Sequence, residues 1–144
     1  MNFSFKQIDY LHPVLSEVIA PSIGNPTVDK ISQVLESYKS NNSYIIGCFI
    51  DDDKLIAIIG IEVGFSKAVI KHISVLKEFR SQGIAKQLIQ YVIEKLSLKE
   101  ISAETDEDSV GFYRSLGFVC KAFKGSYSIR HECRKSFNGK VIND

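Results

Sequence analysis

Apolar residues recur along this chain in two rhythms, near-continuous β-branched runs and the three-to-four spacing of amphipathic helices, and their order predicts the elements. Phe3 to Ile8 reads as a first strand. Val14, Leu15, Val18 and Ile19 keep helical spacing until Pro21 interrupts it. Asn25-Pro26 restarts the chain, Asn as the cap and Pro in the first turn, and Val28, Ile31, Val34, Leu35 and Tyr38 line one face of a second helix. These two helices are expected to form a lid.

Tyr44 to Ile50 and Leu55 to Val63 are apolar runs joined by the polar turn Asp51-Asp52-Asp53-Lys54, a hairpin pattern. Gly64-Phe65-Ser66 turns the chain into a third strand, Ala68 to Val75. Beyond it, Ile84/Leu88/Val92 and Ala85/Ile89/Ile93/Leu96 form adjacent helical rows, so one broad face of that helix is buried. Lys99 to Glu104 is the next strand; reached through a helix, it lies parallel to the strand ending at Val75, a βαβ unit. A helix over 108–116 and strands at Phe118 to Lys124 and Tyr127 to Arg134 complete one domain, residues 1–134. The segment 135–144, with Asn138-Gly139, reads as a frayed tail.

At 144 residues and 44% hydrophobic content, the chain suffices for one mixed α/β domain with a real core. A net charge of +1, with both signs scattered, leaves no footprint for nucleic acid and points to a small or neutral partner. Cys48, Cys120 and Cys133 are odd in number, widely spaced and without a C-x-x-C pair, which argues against a disulfide framework and a zinc site. No metal is expected. With no apolar run of membrane-spanning length, the expectation is a soluble cytoplasmic protein that does not engage a membrane.

The candidate chemistry starts where the third strand runs out into Arg80-Ser81-Gln82-Gly83-Ile84-Ala85 and a helix begins at once. Backbone N–H groups at a helix N-terminus have no intrahelical partners and sit at the positive end of the dipole, so this turn is an anion cradle. Gly83 lets a ligand approach the backbone closely. Gly83 is followed by Ile84-Ala85 and not by Lys-Ser or Lys-Thr, so the turn is no nucleotide P-loop.

Some twenty-five residues on comes Asp106-Glu107-Asp108-Ser109-Val110-Gly111-Phe112-Tyr113-Arg114-Ser115-Leu116-Gly117-Phe118. The two segments together resemble the acyl-CoA motif R/Q-x-x-G-x-G/A and the F-Y-x-x-L-G-F segment of the Gcn5-related N-acetyltransferases, the GNAT superfamily, over roughly Ala68 to Phe118. The resemblance implies a single GNAT-type domain: a mostly antiparallel twisted sheet, a central parallel βαβ unit and flanking helices. It further implies acetyl-CoA as co-substrate, its pyrophosphate on the amides of Ser81 to Ala85 with Arg80 at the entrance. The pantetheine arm would lie along Ile73, Ser74 and Val75 like an added strand, in a slot where the strands ending near Val75 and Glu104 splay apart. Asp106 stands where related enzymes often have an Asn that bonds the arm, and an ionised Asp accepts but does not donate.

By the same resemblance Tyr113 is the catalytic acid, donating a proton to the departing CoA thiolate, a role typically worth ~10²–10⁴ in rate. As a residue alone, Tyr113 beside Phe112 also fits a packed core aromatic. A base on the strand before the cradle would fall at Val69 or Lys71, neither convincing, with His72 one residue off that face unless a bulge shifts the alternation. Glu62 and Glu104 are the carboxylates nominated as base, alongside a solvent relay. The expected reaction is direct attack of a primary amine, of a small molecule or peptide, on acetyl-CoA in a ternary complex. The alternatives are an acyl-CoA-binding regulatory module without turnover and a scaffold acting through its surfaces, and a homodimer is compatible with each.

Overall fold

The structure, a computed structural model, describes residues 2–137. The elements are β1 (Phe3–Ile8), α1 (Leu15–Ile19), α2 (Val28–Glu36), β2 (Ser43–Ile50), β3 (Lys54–Gly64), β4 (Lys67–Val75), α3 (Ile84–Lys95), β5 (Glu100–Asp106), α4 (Val110–Ser115), β6 (Val119–Lys124) and β7 (Ile129–Ser136). Among the described residues seven strands form one sheet, in the order β1-β2-β3-β4-β5-β7-β6. Every pairing is antiparallel except β4 with β5, the parallel pair joined through α3. No helix among the described residues is long and apolar enough to cross a membrane.

The alternation of β3 divides the interior in two. Ile58 packs with Leu15, Val18, Ile19 and Tyr38 on one face, while Ala57, Ile59 and Ile61 pack on the other with Ile84, Leu88, Val92 and Tyr113. The double helical row read in α3 is the stripe that covers this second face. Leu15, Val18 and Ile19 are almost wholly buried, so α1 is part of a core and not a lid; α2, with no buried residue of its own, is the looser of the two.

Three local readings are corrected. The cap of α2 is Thr27, whose Oγ1 accepts from Lys30 N–H at 3.1 Å, in place of Asn25. Losing that acceptor orphans a first-turn donor, so Thr27→Ala is expected to lower stability by about 1 kcal/mol in a urea titration. Cys120 and Cys133 lie directly opposite in the β6–β7 pair and form a disulfide, which sequence spacing hid because the register that joins them is set by the sheet. Finally, Lys135 and Ser136 belong to β7, opposite Ile101 and Glu100, so the expected fraying does not begin at Lys135. The rest of the expected tail, 138–144, lies outside the described residues.

The feature that places the site is a bulge. β3 and β4 pair Gly60 with His72 and Ile61 with Ile70, leaving Lys71 as an extra residue. Pairing of β4 with β5 ends at Ile70–Ala103, right where the bulge bends the strand. Beyond that point β4 keeps only β3 as a neighbour and β5 keeps only β7. The splay expected from the family resemblance is therefore present, with the free edges of His72–Val75 and Glu104–Asp106 facing one another.

Candidate active site

The turn after β4 folds as a helix N-terminus with an open concave mouth. Ser81 and Gly83 both take left-handed backbone angles, φ 65° and 76°, and the first helical bond of α3 runs from Gln87 N–H to Gly83 C=O. The N–H groups of Ile84, Ala85 and Lys86 therefore precede any intrahelical bond. A Cβ built on Gly83 would meet nothing within 4 Å, so the space beside Gly83 is open.

A cavity of about 510 Å³ runs from this turn along β4, lined by Ile73, Ser74, Val75, Arg80, Ser81, Gly83, Ile84 and Ala85 together with Phe79, Lys86, Phe112 and Leu116. Of the residues nominated for acyl-CoA, Gln82 is not on this wall, and Asp106 and Tyr113 lie on the next. Arg80 is less free than its sequence position suggests, because its Nε donates to Val75 C=O at 2.8 Å and folds the guanidinium against the end of β4. Lys86, one turn into α3, is a second cation on the wall that the motif did not single out. Ser74 Oγ is buried without a hydrogen-bond partner, a polar group that an amide-bearing arm could satisfy.

A second cavity, about 670 Å³, adjoins the first through the shared residues Ile73 and Phe112. Its walls are the turn Pro21–Gly24, the β4 bulge with Lys71 and His72, the end of β5 from Glu104 to Asp106, Asp108, Ser109 and Tyr113 from the α4 region, and Arg130 of β7. Tyr113 is buried, packed edge-on against Phe112 and Phe118, and burial pushes its phenol up to about 12. Glu104 is paired with Arg130 at 3.3 Å. Asp106 gives one carboxylate oxygen to Ser109 N–H at 2.9 Å, so it works at least partly as a local cap of the α4 entry.

Glu62 does not line this cavity, although its charge reaches Tyr38 behind His72. It stands at the far end of β3 opposite Val69 and Ser43, on a separate groove with Asn42 and Lys67. His72 is brought there instead: the Lys71 bulge turns its ring to the α1/α2 face, where Tyr38 Oη meets Nδ1 at 2.6 Å. The β4 spacing contained this possibility, but only the register decides it. Burial, helped by the positive charge of Lys71, lowers the His72 imidazole from 6.5 to about 4, so the ring is neutral at physiological pH.

That shift carries a stability consequence. An unfolded His72 takes up its proton near 6.5 while the folded one resists until about 4, so acid favours unfolding across that interval. After discounting for the solvent access of a half-buried ring, the loss is on the order of 1–2 kcal/mol between pH 6.5 and 4. His72→Gln is expected to flatten that part of the curve of urea midpoint against pH.

The residues 22–126 match the sequence profile described as acetyltransferase (GNAT) domain. The chain belongs to the GNAT acetyltransferase family, which makes it by family an acyl-CoA-dependent N-acetyltransferase. No curated protein matches it in sequence. Its fold is similar to that of the ribosomal-protein-S18-alanine N-acetyltransferase from Escherichia coli, at 13% identity and TM-score 0.77 over 95% of each chain. It is also similar to a GNAT family acetyltransferase from Elizabethkingia anophelis with acetyl-CoA bound, at 15% identity and TM-score 0.72 over 94% of this chain and 99% of that one. The PaiA N-acetyltransferase from Thermoplasma acidophilum in complex with coenzyme A resembles it at 20% identity and TM-score 0.71, over 95% and 100% of the two chains.

Proposed function

We propose that this protein transfers the acetyl group of acetyl-CoA to a primary amine of a small molecule or peptide, by direct attack in a ternary complex. The observation that carries this reading is the pair of adjoining cavities on either side of the β4–β5 splay, one floored by an anion cradle and one holding Tyr113 and His72. In the first, pyrophosphate sits on the amides of Ser81 and Gly83–Ala85 beside Arg80 and Lys86, and the pantetheine arm pairs with the free edge of Ile73–Val75. The second receives the acceptor between the Pro21–Gly24 turn and the Glu104–Arg130 pair.

Chemistry follows from that juxtaposition. The neutral amine attacks the thioester carbon, and its electron pair forms the C–N bond while the carbonyl pair moves to oxygen, where N–H groups near Ile73–Val75 stabilise the charge. The nitrogen, now cationic, gives its proton to His72. A ring held near 4 is a weak base, so it takes this proton as the intermediate collapses, when loss of the C–S bond turns the nitrogen into a strongly acidic protonated amide. Collapse expels the thiolate toward the Tyr113 hydroxyl. His72 thus takes the role for which Glu62 and Glu104 were nominated, Glu62 lying on another groove and Glu104 occupied by Arg130.

The test is CoA thiol release from acetyl-CoA with a panel of amines such as n-butylamine, spermidine and glycinamide, beside a thermal-shift titration with acetyl-CoA. Amine-dependent release with acetylated amine as product is the expected result. A melting shift with acetyl-CoA but no release across a broad amine panel would instead favour the acyl-CoA-binding module.

A further inference from the structure

The base proposed above has a built-in partner that no sequence motif marks. Tyr38 follows α2 in a short turn at Ser37–Lys39, and its phenol lies across the sheet face to reach His72 Nδ1 at 2.6 Å. It is 7% exposed, and it reaches that position only because residue 60 is glycine: a Cβ there would stand 1.9 Å from Tyr38 Oη. Gly60 is the β3 residue directly opposite His72, at the edge of the same bulge that turns the imidazole toward the acceptor cavity. Three separate features, a bulge, a missing side chain and a buried phenol, thus converge on one ring nitrogen.

Resting on the acetyltransferase reading, we propose that Tyr38 is a positioning residue that fixes the tautomer and orientation of His72, so that Nδ1–H donates to Tyr38 Oη and Nε2 offers its lone pair to the acceptor. Burial and the negative charge of Glu62 hold the Tyr38 phenol well above its ordinary range, so it stays neutral at every working pH, and in this proposal its oxygen accepts from Nδ1–H. When Nε2 takes the proton of the newly bonded nitrogen, the ring becomes an imidazolium, and the Nδ1–H···Oη bond becomes charge-assisted and stronger. The proton then leaves His72 for solvent and the cycle closes with no net change in either side chain. The other charged groups lining the cavity are Lys71, which opposes the imidazolium, and Glu104, Asp106 and Asp108 across from it, with Arg130 paired to Glu104.

The experiment begins with nitrogen NMR of ¹⁵N-histidine-labelled, ligand-free protein at neutral pH, the His72 signals assigned by their loss in His72→Gln. The expected spectrum has a protonated Nδ1 and an unprotonated Nε2, and in Tyr38→Phe it collapses toward a mixture of tautomers. In amine-dependent CoA release, Tyr38→Phe is expected to lower kcat by roughly ten- to a hundred-fold with KM for acetyl-CoA little changed, less than deletion of the base itself. Gly60→Ala, which displaces the phenol without removing it, is expected to reproduce both effects in the soluble fraction. A wild-type ring protonated on Nε2, or a Tyr38→Phe enzyme with wild-type kcat, overturns the proposal. The spectrum is read without substrate, so a wild type that transfers no acetyl group sinks the function proposed above and leaves this pair to be judged on its tautomer.

Discussion

Tyr113→Phe is expected to lose about 10²–10³ of kcat while acetyl-CoA still binds, the loss typical of removing one aimed donor from a site where charge develops. The size follows from what the buried phenol can do. With its proton held to about 12, Tyr113 is a poor outright acid toward a thiolate whose conjugate acid lies near ~8.5. Full transfer would be uphill, so in the proposed mechanism the hydroxyl stabilises the developing sulfur anion by a hydrogen bond and solvent completes the protonation. This tempers the proton-donor role implied by the family motif: the group is the same, its contribution electrostatic. Because the ring packs edge-on against Phe112 and Phe118 and phenylalanine keeps that packing, the variant should fold and its melting shift with acetyl-CoA should match wild type. The check is single-turnover acetyl transfer in wild type and variant, which separates chemistry from release. Equal rates would reduce Tyr113 to the core aromatic that its residue type alone suggests.

How far the sequence discloses this site depends on whether the information is local. The cradle at Ser81–Ala85 and the Phe112–Tyr113 helix are contiguous segments whose conformation their own residues impose, and both were legible. The βαβ unit was legible for the same reason, since a helix between two strands leaves few ways to connect them. His72 was not, because its face depends on one unpaired residue, Lys71, and a bulge is visible only as a register between two strands. The same blindness hid the Cys120–Cys133 bond, thirteen residues apart along the chain and opposite one another across the β6–β7 pair. Tyr38 fails for a longer-range reason. It looked like the last apolar residue of an amphipathic helix, which in part it is, and its partner lies thirty-four residues away beneath a glycine whose meaning is the phenol above it. Residues that act through a second element leave no periodic trace.

Gly83→Asp is expected to abolish the response to acetyl-CoA altogether. Wild type at a ligand concentration of a hundred times Kd should gain about 2.7 kcal/mol, a rise of roughly 5–10 °C in melting temperature for a chain of this size. Two physical costs meet in the variant. A residue with a Cβ at φ 76° is strained by about 1–2 kcal/mol, and a carboxylate placed among the first-turn amides of α3 occupies the positive end of the dipole that the pyrophosphate would use. Gly83→Ala separates the two, since its Cβ meets nothing within 4 Å: it carries the strain without the charge. It should therefore melt lower than wild type yet still shift with acetyl-CoA, while Gly83→Asp does not shift even at millimolar ligand. If both variants respond like wild type, the phosphates are held elsewhere and the cradle is only a turn. If alanine already abolishes the response, close backbone approach at Gly83 matters more than the field of the helix, and the ligand lies nearer the chain than an open cavity mouth implies.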